Sequence, residues 1–256
     1  MIKQYKWNDI NEKLMAYFRL RDLPVAVKYY KEKGEMEKVS GIELQKQLCV
    51  PCLAVGRAAR MGLAVGITTD NFNYDYCRGV HGFKERDEKW LSAQPFVDRW
   101  NHSREAAKAH HMALLEMPPV EGFAAAPLKD GIIEDPDACV IFATPEQAFW
   151  ILASAINEKY KKLNFTFVGE SNCNDSWIRT TLTGDIALGI GSNGERVYAG
   201  LPQDELMVSM KVEDILNVLE GAENMRNGRE KLCFPVPAFG LCGDIGSVSN
   251  PAFEGY

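Results

Sequence analysis

Apolar residues recur along this chain at two spacings that alternate. Ile10, Leu14, Tyr17 and Phe18 fall on one face of a helix over 8–20 that Asn8 or Asp9 can cap. Leu23 to Tyr30 reads as a strand with Pro24 at its start, where a missing N–H is tolerated. After a charged connection over 31–38, helices are expected over 41–48 and from Cys52 to Met61, with Gly62 as a stop. Pro51 places Cys49 and Cys52 at a helix junction. Thr68 to Phe83 is rich in aromatics and turn formers and reads as an ordered loop, with helices following over 85–101 and 103–116.

The middle of the chain has an α/β rhythm. Gly122 to Leu128 and Asp137 to Ala143 are strand candidates, the second continuously apolar as a central buried strand would be. It runs into Thr144-Pro145-Glu146-Gln147, a capping box with proline at the first helical position, and a helix to about Tyr160. Strands are expected over 163–169 and near 185–190, 196–200 and 206–211. Helices are expected from Asp175 towards Thr181 and over 212–226. The pattern predicts an α/β or α+β protein, a mixed β-sheet flanked by helices. One domain would cover 1–232, with an irregular Pro/Gly-rich tail over 233–256 that can wrap the surface or a partner.

Composition narrows the classes. The chain has 256 residues, 46% of them apolar and 25% charged, enough to bury a core without disulfide staples. A net charge of −6 argues against a nucleic-acid partner. No apolar run reaches the roughly 18 residues of a membrane span, and Met1 to Lys6 lacks a signal-peptide core, so the expected compartment is the cytoplasm.

Cysteine is the specific chemistry. Seven are present, Cys49, Cys52, Cys77, Cys139, Cys173, Cys233 and Cys242, an odd count that argues against a complete disulfide framework. Cys139 sits in an apolar strand and belongs to the core. Cys49-x-x-Cys52 has a spacing at which two sulfurs can grip one metal or serve dithiol chemistry. Cys77, and Cys173 within Ser171-Asn172-Cys173-Asn174-Asp175, lie in polar contexts that suit a site better than a core. These four thiols match the number that closes a zinc site or holds a 4Fe–4S cluster. His81, four residues after Cys77, is a candidate ligand or general acid/base. His110 and His111 are adjacent on a helix, so one is expected to pack and one to face solvent. Gly189 to Arg196 lacks the Lys-Ser/Thr of a phosphate loop and reads as a hairpin turn, with Arg196 free to bind an anionic substrate.

The order of several segments resembles the uncharacterised domain-of-unknown-function 169 family over roughly 12–220. They are Leu20 to Lys28, a Cys before an Ala-rich helix ending in Gly, and Cys77. Pro136 to Ile141, Pro145 to Ala148, Cys173-Asn174-Asp175 and Arg196 to Leu206 follow. The resemblance implies that Cys52, Cys77 and Cys173 are the recurrent cysteines. A further Gly-Cys that relatives carry before the arginine is Gly189-Ile190 here, so Cys49 would have to supply a fourth ligand. It implies no activity.

Three functions compete. The first is a cysteine-ligated metallocentre on Cys49, Cys52, Cys77 and Cys173, iron–sulfur ahead of zinc, acting on a small molecule or exchanging electrons with a redox partner. In it the loop aromatics Phe72, Tyr74 and Tyr76 would shield the centre and wall a pocket. The second is a metal-free accessory protein that binds a small acidic ligand through Arg78, Arg179 or Arg196. The third is a thiol enzyme with Cys77 or Cys173 as nucleophile and His81 as base. The apolar stretch Phe234 to Phe239 is compatible with a homo-oligomer.

Overall fold

In the computed structural model, which describes residues 6–45, 49–72, 74–92 and 94–227, seven strands join in one sheet. They are β1 (Val25–Tyr30), β2 (Glu43–Leu44), β3 (Val65–Thr68), β4 (Gly122–Pro127), β5 (Ala138–Ala143), β6 (Ala187–Gly189) and β7 (Leu206–Met210). Their spatial order is β2-β3-β4-β1-β5-β7-β6. Within the sheet, among the described residues, β2 and β3 pair in parallel and the other strand pairs are antiparallel, with Val25 of β1 opposite both Pro127 and Val140. The fold is therefore a mixed sheet flanked by helices.

Ten helices are described: α1 (Trp7–Phe18), α2 (Lys33–Glu37), α3 (Pro51–Met61), α4 (Asp75–Val80), α5 (Glu88–Leu91), α6 (Arg104–Ala113), α7 (Pro145–Ala155), α8 (Arg179–Thr183), α9 (Asn193–Tyr198) and α10 (Val212–Asn227). A wide π-type turn, Asn174–Ile178, precedes α8. No described helix is long and apolar enough to cross a membrane.

Alternate residues of each strand point to opposite faces, and this sorts the core into two layers. Ala26, Tyr30, Ala124, Ala126, Cys139, Ile141, Val208 and Met210 face one layer, with α1, α7 and α10. Val25, Val27, Tyr29, Ile67, Phe123, Val140 and Met207 face the other, with α3 and the segments that carry Cys52 and Cys173. The capping box forms as its sequence requires: Thr144 Oγ1 accepts from Gln147 N–H, and Gln147 Oε1 accepts from Thr144 N–H. Gln147 also donates to Arg19 O, tying α7 to the left-handed end of α1.

Several expectations are corrected. The helix over 41–48 is replaced by the short β2, with residues 46–48 outside the described set. Residues 31–38 contain α2, and the loop over 68–83 contains α4. The helix over 85–101 is only the four-residue α5 and a 3₁₀ turn, Gln94–Phe96, whose Pro95 has no N–H to donate. The helix expected to reach Tyr160 ends at Ala155. Residues 163–169 are not a strand; Val168 N–H and Thr166 Oγ1 donate to the Asp175 carboxylate instead of a ladder. In place of the strand over 196–200, residues 196–198 end α9, so the glycine-rich segment before it is a strand-to-helix connection and not a hairpin. The tail over 233–256, with Cys233, Cys242 and the Phe234 to Phe239 stretch, lies outside the described residues.

Candidate functional site

Three local structures aim polar groups at one place beside the sheet. The first is the start of α3. Val50 is extended, Pro51 takes the first helical position at no cost in hydrogen bonds, and Cys52 follows in the first turn with 5% of its surface exposed. Gly56 lets this helix approach α9, since a Cβ there would lie 2.5 Å from Ala199 Cα.

The second is the turn that carries Cys173. Asn172 Oδ1 accepts from Gly191 N–H at 2.7 Å, and its amide donates to Asp175 at 2.8 Å. Asn174 exchanges two 2.9 Å hydrogen bonds with the Leu115 backbone. Ser171 is left-handed at φ 67° and donates to Tyr76 Oη. The polar neighbours of Cys173 thus tie its turn to three other segments. Gly189 must be small for this, because a Cβ would meet Asn172 Oδ1 at 2.8 Å.

The third is the capping box of α9, Ser192 to Glu195. Glu195 is 1% exposed and accepts from Ser192 N–H at 2.8 Å and from Ser192 Oγ at 2.5 Å. Its other oxygen accepts from Cys173 N–H at 3.0 Å and lies 3.5 Å from Cys52 Sγ. One donor atom each from Cys52, Cys173 and Glu195 lie within 4.8 Å of one another.

These three residues line the inner part of a cleft of about 700 Å³. Cys77 on α4 lines it too, half-buried, as do Tyr74, Tyr76, Trp90, Phe96 and Glu170. Tyr76 stacks on Trp90 with ring centroids 5.5 Å apart. The Glu170 carboxylate receives the Asn193 N–H at 3.4 Å, and burial raises its pKa.

The thiols are protonated at neutral pH in this setting. Cys52 is pushed well up, first by its hydrogen bond with Cys173, then by burial and by Glu195. Cys52 pulls Cys173 down, but burial and Glu195 outweigh it and leave Cys173 at about 12. Burial, and then the charges of Cys52, Glu195 and Glu170, raise Cys77. Mutual repulsion of negative groups is what a bound cation relieves, and ligand thiols release their protons when it binds.

The other sequence candidates are placed as follows. Cys49 is buried in the apolar layer, pushed up to about 11 by burial, and its sulfur contacts Val50 O at 3.7 Å; it does not line the cleft. The buried group within 4.8 Å is Cys52, Cys173 and Glu195, and Cys49 is not part of it. His81 caps the C-terminal end of α4, fully buried, with Nε2 3.6 Å from Cys173 Sγ and Nδ1 2.7 Å from Tyr29 Oη. Burial, then Arg86, lowers it to about 3, so it is neutral. Arg78 does not line the cleft. Arg196 is exposed and donates to Pro202 O and Ile190 O. Arg179 pairs with Asp185. Of the two adjacent histidines, His111 packs among Tyr76, Trp90 and Phe96, while half-buried His110 holds Asn101 and Glu170 O.

Fold and site together define a mixed-sheet α/β protein with a buried thiol–carboxylate group at the inner end of an aromatic cleft. The chain belongs to the domain-of-unknown-function 169 family, described as uncharacterised ArCR, whose model matches residues 13–221. It is similar to an uncharacterized protein of Methanocaldococcus jannaschii, 27% identical over 229 residues that cover 86% of this chain and 96% of the relative. No solved structure matches it.

Proposed function

We propose that this protein binds a metal ion through Cys52, Cys173 and Glu195 and presents it to a small molecule in the adjoining cleft. The observation that carries the reading is the 4.8 Å convergence of two sulfurs and a carboxylate oxygen from three segments distant in the chain. Tetrahedral zinc–thiolate bonds of about 2.3 Å put ligand sulfurs about 3.8 Å apart, so closure around one ion needs only small shifts. Sulfur ligands favour zinc or iron over magnesium or calcium. A cleft of about 700 Å³ is within the size of small-molecule sites. A metal there would supply Lewis-acid or electron-transfer chemistry. The chain's own part is to hold the ligands and to wall the ion with Tyr76, Trp90 and Phe96.

A cluster reading keeps one specific support: Cys77 is a third thiol on the same cleft, and iron–sulfur clusters are held by cysteine thiolates. The thiol-enzyme reading is weaker, because burial raises Cys77 and Cys173 where a nucleophile needs a lowered pKa.

Oxygen-free purification followed by a visible spectrum and iron and zinc analysis tests the reading. One metal per chain, lost in Cys52→Ser and Cys173→Ser but kept in Cys77→Ser, is the expected result. A brown protein with about four irons that also needs Cys77 replaces the single ion with a cluster. Wild-type protein that arrives metal-free and takes up neither added zinc nor ferrous iron overturns it.

A further inference from the structure

Behind Cys173 lies a buried chain of hydrogen-bonding side chains whose polarity is fixed from its far end. Trp177 Nε1 can only donate, and it lies 3.2 Å from Tyr29 Oη. The tyrosine oxygen is thus an acceptor there. Among the described residues its single hydrogen has one acceptor in reach, His81 Nδ1 at 2.7 Å. Trp177 and His81 are fully buried and Tyr29 is 9% exposed, so solvent has little access to rearrange the pattern. With Nδ1 accepting, the one proton of the neutral ring sits on Nε2, the nitrogen 3.6 Å from Cys173 Sγ. The opposite tautomer would aim two donors at Tyr29 Oη and strand the tyrosine's own hydrogen in an apolar layer.

We infer that His81 is a positioning residue for the metal centre: it delivers an N–H hydrogen bond to the Cys173 sulfur, with Tyr29 and Trp177 fixing which nitrogen carries the proton. This rests on the metal-binding reading of Cys173. Such outer partners orient ligands and set the electron density of the metal–ligand bond. An N–H aimed at a thiolate stabilises its lone pairs, so charge transfer from sulfur to metal needs more energy. Where the metal is iron, the same bond raises the reduction potential. The role differs from the general base expected from sequence, since a ring that already holds its proton on Nε2 cannot take one from Cys173 through that atom.

Two measurements test this. Nitrogen-15 NMR of metal-free protein reads the His81 tautomer directly, and the expected result is protonated Nε2 and bare Nδ1. A bare Nε2 overturns the inference. Cobalt(II) is then titrated into wild type, Tyr29→Phe, His81→Gln and His81→Leu. The Leu and Phe variants should bind cobalt about 10–100-fold more weakly and move the sulfur-to-cobalt band to longer wavelength. His81→Gln, whose amide nitrogen can stand near the Nε2 position, should keep the wild-type band. An unchanged band and affinity in both Tyr29→Phe and His81→Leu overturn the inference while leaving the metal reading intact. Cobalt binding undiminished in Cys173→Ser overturns the metal reading itself, whatever the tautomer.

Discussion

Cys139 and Cys173 lie on opposite sides of one sheet, 0% and 3% exposed, and both thiols stand at about 12. By burial and acidity they are twins. Cys139 points from β5 into a layer of apolar side chains packed by α1, α7 and α10. Cys173 has Cys52, Glu195 and His81 around its sulfur and backbone. Burial alone therefore says nothing about function in this molecule. What separates the two thiols is the company of other buried polar groups, each of which costs free energy unless partnered.

Acid should produce the largest effect and sharpen the contrast, because the buried imidazoles are all on the Cys173 side. His111 is lowered to about 4, first by burial, against an ordinary value near 6.5. Below pH 6.5 the unfolded chain takes up a proton that the native state refuses. The stabilisation is fully present above that pH and is lost as pH falls towards 4. His81 acts in the same direction towards about 3. The raised carboxylates Asp137, Glu170 and Asp214 act oppositely, so a variant difference isolates the histidine. Urea midpoints between pH 7 and 4 should fall more steeply for wild type than for His111→Phe. Parallel curves would contradict the assignment.

Glu195→Leu is the next largest perturbation. It strips the acceptor from Ser192 N–H and Oγ and from the buried Cys173 N–H. A loss of about 2–4 kcal/mol in urea unfolding is expected, from one buried donor and two partly solvated ones. Glu195→Gln keeps the shape and removes the charge; it should fold with a smaller loss and still bind zinc at least about tenfold more weakly. Equal zinc affinity in Gln and wild type would remove the carboxylate from the site and leave the two thiols alone.

The contrast between the two sides was only half legible in the sequence. Cys139 announced itself through an unbroken apolar run, and Thr144 to Gln147 announced α7, because both signals are local. Cys173 stood out by its polar neighbours, which tie the turn to Tyr76, Leu115 and Gly191. Glu195 was missed although Ser192-Asn193-Gly194-Glu195 is a capping-box pattern. Gly189, Gly191 and Gly194 give that segment the turn composition of a hairpin, which masks the box. Cys49 drew attention by its spacing to Cys52. That spacing spans a helix N-cap at Val50, and Cys49 ends in the apolar layer, away from the cleft. The partners of Cys52 come from more than a hundred residues away, which no local pattern encodes.

Cys139→Ser should be the mildest change and the most direct way to break the comparison. It places a hydroxyl among Ile141, Val208 and Met210 neighbours, where an unpaired polar group costs about 1–3 kcal/mol by mutational measures. The thiol already had weak polar character, and a serine hydroxyl can reach a strand carbonyl, so the lower half of that range is expected. Metal content should equal wild type, since the sheet backbone and two side-chain layers separate this position from Cys52, Cys173 and Glu195. Cys173→Ser should invert the pattern, with loss of metal at a comparable or smaller cost in metal-free stability, because its hydroxyl falls among groups that can hydrogen-bond it. If the two variants lost metal and stability in the same proportion, the two sides of the sheet would not be chemically distinct. The convergence around Cys173 would then be packing of the same kind as that around Cys139.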